Sequence, residues 1–274
     1  MKFLSLISIA LLTYLSIKEN KDLLFIYSSS FVSIGKKVYI SSMEVSNQQY
    51  DDFLSEYNNL NLEHLKINNE GWIAGQQFNK SYFIPYQNMY SVSQKYIYHP
   101  VVNIRQEAAL EYCAYLTRKF NSDPSREFRK VIFRLPTKEE WLKAYKVVKK
   151  QEYQGERLGY LPLKEDSVYK ANNWSAISFF NSNAFKDNSD QMEYLMNDQY
   201  VSVFATWPVF YYQQKVDISI YHLMGNVSEW VQEENIAMGG NWMTSSDAEI
   251  NKGLMLSSYS PLVGFRVVCE VIQE

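Results

Sequence analysis

Glu229 is the carboxylate in this chain whose setting most needs an explanation. It stands in Val227-Ser228-Glu229-Trp230-Val231, between turn signals at Met224-Gly225-Asn226 and Gly239-Gly240. An acid in so apolar a run needs a cation, a metal or several N–H donors. The other reading is a glutamate on the wet face of a strand, and pattern alone leaves both open. Close behind come Thr244, Asp247 and Glu249. A hydroxyl and two acids can be written as a hydrolytic or transfer set, but no histidine stands beside them to act as base. The chain has three histidines, His64, His99 and His222, and two cysteines, Cys113 and Cys269. Their spacing writes no HExxH, no CxxC and no clustered zinc site.

The elements that must position these residues are read from periodicity and turn chemistry. Phe31–Ile40 predicts two short strands broken at Gly35. Ser46 and Gln49 form an S-x-x-Q capping box, and Tyr50, Phe53, Leu54 and Tyr57 then follow at helical spacing. Residues 58–98 lack a clear period and read as loop with short strands. Pro100 holds His99 extended. Ala109, Cys113, Leu116 and Phe120 mark one face of a second helix. Pro136 ends an extended segment, Thr137 and Glu140 make a second capping box, and Trp141, Ala144, Tyr145 and Val148 form the buried stripe of a third helix. Arg134 is either a substrate anchor or, the preferred reading, the structural partner of a buried carboxylate. Residues 151–220 read as long ordered loops, a form that goes with function or with an ion clamp. Val267, Cys269 and Val271 alternate as a half-buried strand should.

Hydrophobic residues make up 46% of the 274 residues and charged ones 21%, which predicts a folded core. A net charge of −3 leaves no broad basic field, so nucleic acid is excluded as a partner class. The 22 tyrosines either serve recognition or fill a loop-rich core. Residues 1–20, with Lys2 before an apolar run, read as a signal peptide or an uncleaved N-terminal anchor, the only expected contact with a membrane. The body, residues 25–274, is then one exported domain, periplasmic or anchored facing the periplasm.

Several stretches, in order, resemble the formylglycine-generating enzyme family, the sulfatase-modifying factor domain. Glu44-Val45-Ser46-Asn47 is similar to EVTN, and His99-Pro100-Val101-Val102 to HPVV. Arg134-Leu135-Pro136-Thr137-Lys138-Glu139-Glu140-Trp141 is similar to RLPTEaEW, the most specific match. Ala171-Asn172-Asn173-Trp174 looks like ANxW, Gly225-Asn226-Val227-Ser228-Glu229-Trp230 with Gly239-Gly240-Asn241 like GNVWEW…GGS, and Gly264-Phe265-Arg266 like the closing GFR. Arg105 and Gln106 stand where the family often has tryptophan. The resemblance covers about residues 31–271 and implies an α+β, C-type-lectin-like formylglycine-generating-enzyme fold with little regular secondary structure.

It also implies chemistry, and the departures matter. Family enzymes oxidise a cysteine of a client sulfatase using two copper-binding cysteines after the GGS motif. The matching positions here are Thr244 and Glu249, which cannot do Cu(I) thiolate chemistry, so no catalytic residue and no copper are expected. Calcium is the cofactor the resemblance still allows. One site would use Glu229 with the carbonyls of Gly225 and Val227, although His222 replaces a better ligand. The other would use Asn172 and the carbonyl of Asn173, with Asp187 or Asp190. A salt bridge from Glu229 to Arg266 or Arg134 without metal is the competing reading. By resemblance Cys113 and Cys269 form a disulfide. The resemblance implies a non-catalytic binding or structural component, like similar domains in gliding-motility and secretion-associated envelope lipoproteins, with an unnamed envelope protein or ligand as partner. A divergent enzyme using a reshaped pocket and a lectin-like ligand binder are the alternatives.

Overall fold

In the computed structural model, residues 23–26, 29–57, 63–74, 84–153, 206, 208–209, 220–223, 225–242 and 251–274 are described. Thr244, Asp247, Glu249, Asn172, Asn173, Asp187, Asp190 and the N-terminal segment 1–20 lie outside them.

A five-stranded antiparallel sheet carries the domain. It comprises β1 (Leu23–Ile26), β2 (Ser29–Gly35), β3 (Val38–Ser41), β4 (Lys130–Arg134) and β9 (Val268–Gln273), in the order β1-β2-β3-β9-β4. The break expected at Gly35 is a tight turn, with Lys37 at φ 62°. A smaller sheet holds β5 (Ser228–Trp230), β6 (Ile236–Met238), β7 (Leu254–Met255) and β8 (Val263–Gly264), in the order β7-β6-β5-β8, with β5 and β8 parallel.

Helix α1 (Asn47–Glu56) starts at the predicted box: Ser46 Oγ accepts from Gln49 N–H while the Gln49 side chain accepts from Ser46 N–H. Residues 58–98 differ from expectation. Their described part has two 3-10 turns and helix α2 (Ile84–Met89) rather than strands. Trp72, Tyr86, Tyr90 and Tyr96 pack there against Trp242 and Val227, so ring burial rather than sheet pairing orders this region. Helices α3 (Gln106–Ser122) and α4 (Lys138–Tyr153) follow the predicted faces.

Strand β9 follows the predicted half-buried alternation, with one departure at Val268. Val267, Cys269 and Val271 face the large core with α1 and α3, but Val268 is also fully buried, on the opposite face. There it joins Trp141, Ala144 and Val148, because the α4 stripe covers the second side of the sheet. Farther along that second face Glu270 is half-buried and Ile272 is 39% exposed, so the strand is dry on both sides only at its Val268 end.

The two cysteines are another correction. Both are free, and both belong to the large core. Cys113 lies on α3, and Cys269 on β9 opposite Tyr39 and Phe133. Each thiol packs among apolar core side chains and the two are not bonded to each other. Burial pushes the Cys269 thiol up to about 12 and the Cys113 thiol higher still.

Candidate functional site

Three segments far apart in sequence meet beneath β5. Val45 N–H donates to Phe265 O at 2.9 Å, and Val101 N–H donates to Val45 O at 2.9 Å. Gly264 has to be glycine: a Cβ there would stand 2.6 Å from Val101 O and 3.0 Å from Val227 Cγ2. This close packing brings Arg266 under the sheet, where it is 0% exposed.

Arg266 and Glu229 form a buried ion pair. Arg266 Nε donates to Glu229 Oε1 at 2.7 Å, and Nη2 approaches the same oxygen at 2.5 Å. Trp141 Nε1 donates to Oε2 at 2.8 Å. The remaining guanidinium donors reach Ser41 O at 3.0 Å and Tyr221 O at 2.8 Å. Of the readings left open for Glu229, the arginine partner is the one observed. The wet-strand reading is corrected, since Glu229 is 1% exposed. The calcium assignment to Glu229, Gly225 and Val227 fits this geometry poorly. A guanidinium already in contact with Oε1 repels a second cation, and His222 Nε2 lies 3.2 Å from Pro208 O. Among the described residues, no group of three or more His, Cys, Asp or Glu side chains is arranged to hold a metal.

The other motif residues are structural. Arg134 grips Glu140 with both terminal nitrogens, at 2.6 and 2.7 Å, and Glu270 through Nε at 3.0 Å. Glu140 also accepts from Thr137 N–H, while Thr137 Oγ1 accepts from Glu140 N–H, completing the second capping box. Burial works against the Glu140 charge, but the bonds from Arg134 and Thr137 hold its carboxyl below the usual range. Trp230 Nε1 donates to Ile104 O at 3.3 Å. Asn226 takes a left-handed φ of 62°, which asparagine tolerates better than most residues, and donates to Glu44 Oε2 at 2.9 Å. Asn241, which stands where the family has serine, donates to Ser228 Oγ at 3.0 Å.

Sequence reasoning left two residues without a role. Gln106 clamps the turn after β5: its amide donates to Val231 O at 2.6 Å and Glu233 O at 2.9 Å, and its carbonyl accepts from Asn235 N–H at 2.9 Å. The departure at Gln106 from the family's tryptophan was the available signal. Glu44 is 1% exposed, and its Oε1 has no hydrogen-bond partner. Burial drives its carboxyl well above the ordinary range despite nearby Arg266. Glu44 was visible only as the first letter of its motif. Close by, Thr206 Oγ1 lies 2.8 Å from both Tyr90 Oη and His99 Nδ1. Burial, with His222 and Lys95 adding to it, pushes His99 down to about 3.

The arrangement is therefore a frame of buried and half-buried charge pairs, with Glu44 as a further buried acid, in an α+β domain built on one large sheet and one small one. The sulfatase-modifying factor enzyme 1-like domain matches residues 21–271, and the chain belongs to that family. Among solved structures, it is similar to CarF, at 17% identity and TM-score 0.49, covering 88% of this chain and 87% of that one. It is also similar to PvdO from Pseudomonas aeruginosa, at 16% identity and TM-score 0.45, covering 88% and 80%. A third is Treponema denticola variable protein 1, at 15% identity and TM-score 0.46, covering 90% and 98%. No curated protein matches the chain.

Proposed function

We propose that this chain is a non-catalytic member of its family, an exported binding or structural component acting through an envelope protein or ligand. The observation that carries this reading is the location of its thiols. The chain has two cysteines, and both sit in the dry core with their thiols pushed well above neutrality. Copper chemistry needs accessible thiolates. Thr244 and Glu249, at the positions matching the family's catalytic cysteines, offer oxygen donors to a metal that prefers sulfur. Calcium, as the remaining ion of the family, is assigned to Asn172 and Asn173 rather than to Glu229.

The test is an anaerobic Cu(I) titration of the purified chain, alongside the double variant T244A/E249A. Expected are no stoichiometric copper and an unchanged melting temperature in the variant. One copper per chain, lost in the double variant, would make the protein a divergent oxidase.

A further inference from the structure

A cavity of about 410 Å³ opens between α1, α3 and the face of the large sheet, within the range of small-molecule sites. Its walls include Phe31, Tyr98, Tyr112, Tyr115 and Leu116, and its polar groups include Gln48, Asp52 and Lys119.

The charges on this wall are unequal in their availability. Lys119 Nζ is already committed, at 2.5 Å to Glu56 Oε1 and 2.8 Å to Tyr115 Oη. Asp52 is exposed, takes one hydrogen bond from Gln48 Nε2 at 2.9 Å and forms no ion pair among the described residues. It lies near enough to Tyr112 to add to the rise of that phenol's pKa, which burial dominates. Glu44, the other carboxyl residue on the lining, carries no positive charge in either protonation state. An incoming anion would thus meet an uncompensated carboxylate and a lysine whose charge is spent. An incoming cation would meet the exposed carboxylate of Asp52 and the exposed ring of Tyr98, whose faces attract positive charge, while the Tyr115 ring already has Lys119 over it, 5.3 Å from its centroid. The apolar walls call for an aromatic or aliphatic body behind that charge.

We propose that this cavity binds a small amphiphilic amine, its ammonium group paired with Asp52 and its body seated between Tyr98, Tyr112 and Leu116. The site does not depend on whether the chain is catalytic.

The test is isothermal titration of the full chain with tryptamine and with indole-3-propionate, which presents the same ring with the opposite charge. Tryptamine is expected to bind with Kd below about 1 mM, at least tenfold more tightly than indole-3-propionate, and to weaken by about tenfold in Asp52→Asn. Asp52 is exposed, so this variant is expected to fold as the parent does. Leu116→Trp, which fills the cavity, is expected to abolish the heat of binding, with its circular dichroism confirming the fold. Equal binding of the two probes, binding indifferent to both substitutions, or no tryptamine binding up to about 10 mM would each overturn the proposal.

Discussion

Arg266 Nε lies 2.7 Å from Glu229 Oε1, and the two side chains are 0% and 1% exposed. The pair joins β5 to the segment entering β9, and Trp141 Nε1, from α4, holds the second carboxylate oxygen. Three parts of the fold are thus pinned at one point that water does not reach.

Removing one partner strands the other charge in a dry site. Glu229→Gln is expected to cost about 3–5 kcal/mol in urea unfolding. The loss should be the same in excess calcium and in chelator. A loss seen only when calcium is present would return Glu229 to the role of a metal ligand.

The start of α4 combines a cap with an ion pair. Glu140→Gln weakens the bidentate contact to Arg134 and is expected to cost about 2 kcal/mol, and Thr137→Ala about 1 kcal/mol. Equilibrium unfolding of both variants checks this. An unaffected Glu140→Gln protein would show that the Arg134 pairing contributes nothing to stability.

Two buried groups give stability opposite pH dependences. Glu44 has a folded pKa raised above 4.5, so above that pH the unfolded chain has released a proton that the folded chain keeps. Its contribution is full below the unfolded value and is lost as pH rises through the folded one. His99 is depressed from 6.5 to about 3. Its contribution is present above 6.5 and is lost as pH falls toward about 3. Unfolding free energies measured across this range should show Glu44→Gln removing the first slope and His99→Asn the second. Unchanged pH profiles would mean that neither group is desolvated as described.

Cys113 and Cys269 should behave as two inert thiols. Ellman's reagent is expected to titrate neither in the native protein and both in denaturant, and reducing agent should leave the melting temperature unchanged. A mass lower by two hydrogens in the non-reduced chain would instead establish the disulfide.

Local signals were legible where one short segment contains its own explanation. Both capping boxes, the α3 and α4 stripes and the turn after Gly35 needed only neighbouring residues. The motif series sufficed for the family and its fold. By contrast, residues 63–74 and 84–98 read as loop with strands, because stacking of Trp72, Tyr86, Tyr90 and Tyr96 has no sequence period.

From its sequence alone, this protein's family, its capped helices and the absence of cysteine from positions 244 and 249 are determined, because each depends on residue identity or on contacts a few residues apart. The partner of Glu229, the unpaired oxygen of Glu44, the Gln106 clamp and the burial of Val268 under α4 were decided only in three dimensions. Arg266 is 37 residues from Glu229, and Trp141 is 88. A hydrogen bond over such separations leaves no trace in spacing or periodicity. It arises from the sheet order that brings β9 between β3 and β4, and from the close approach at Gly264 that lets Arg266 reach beneath β5.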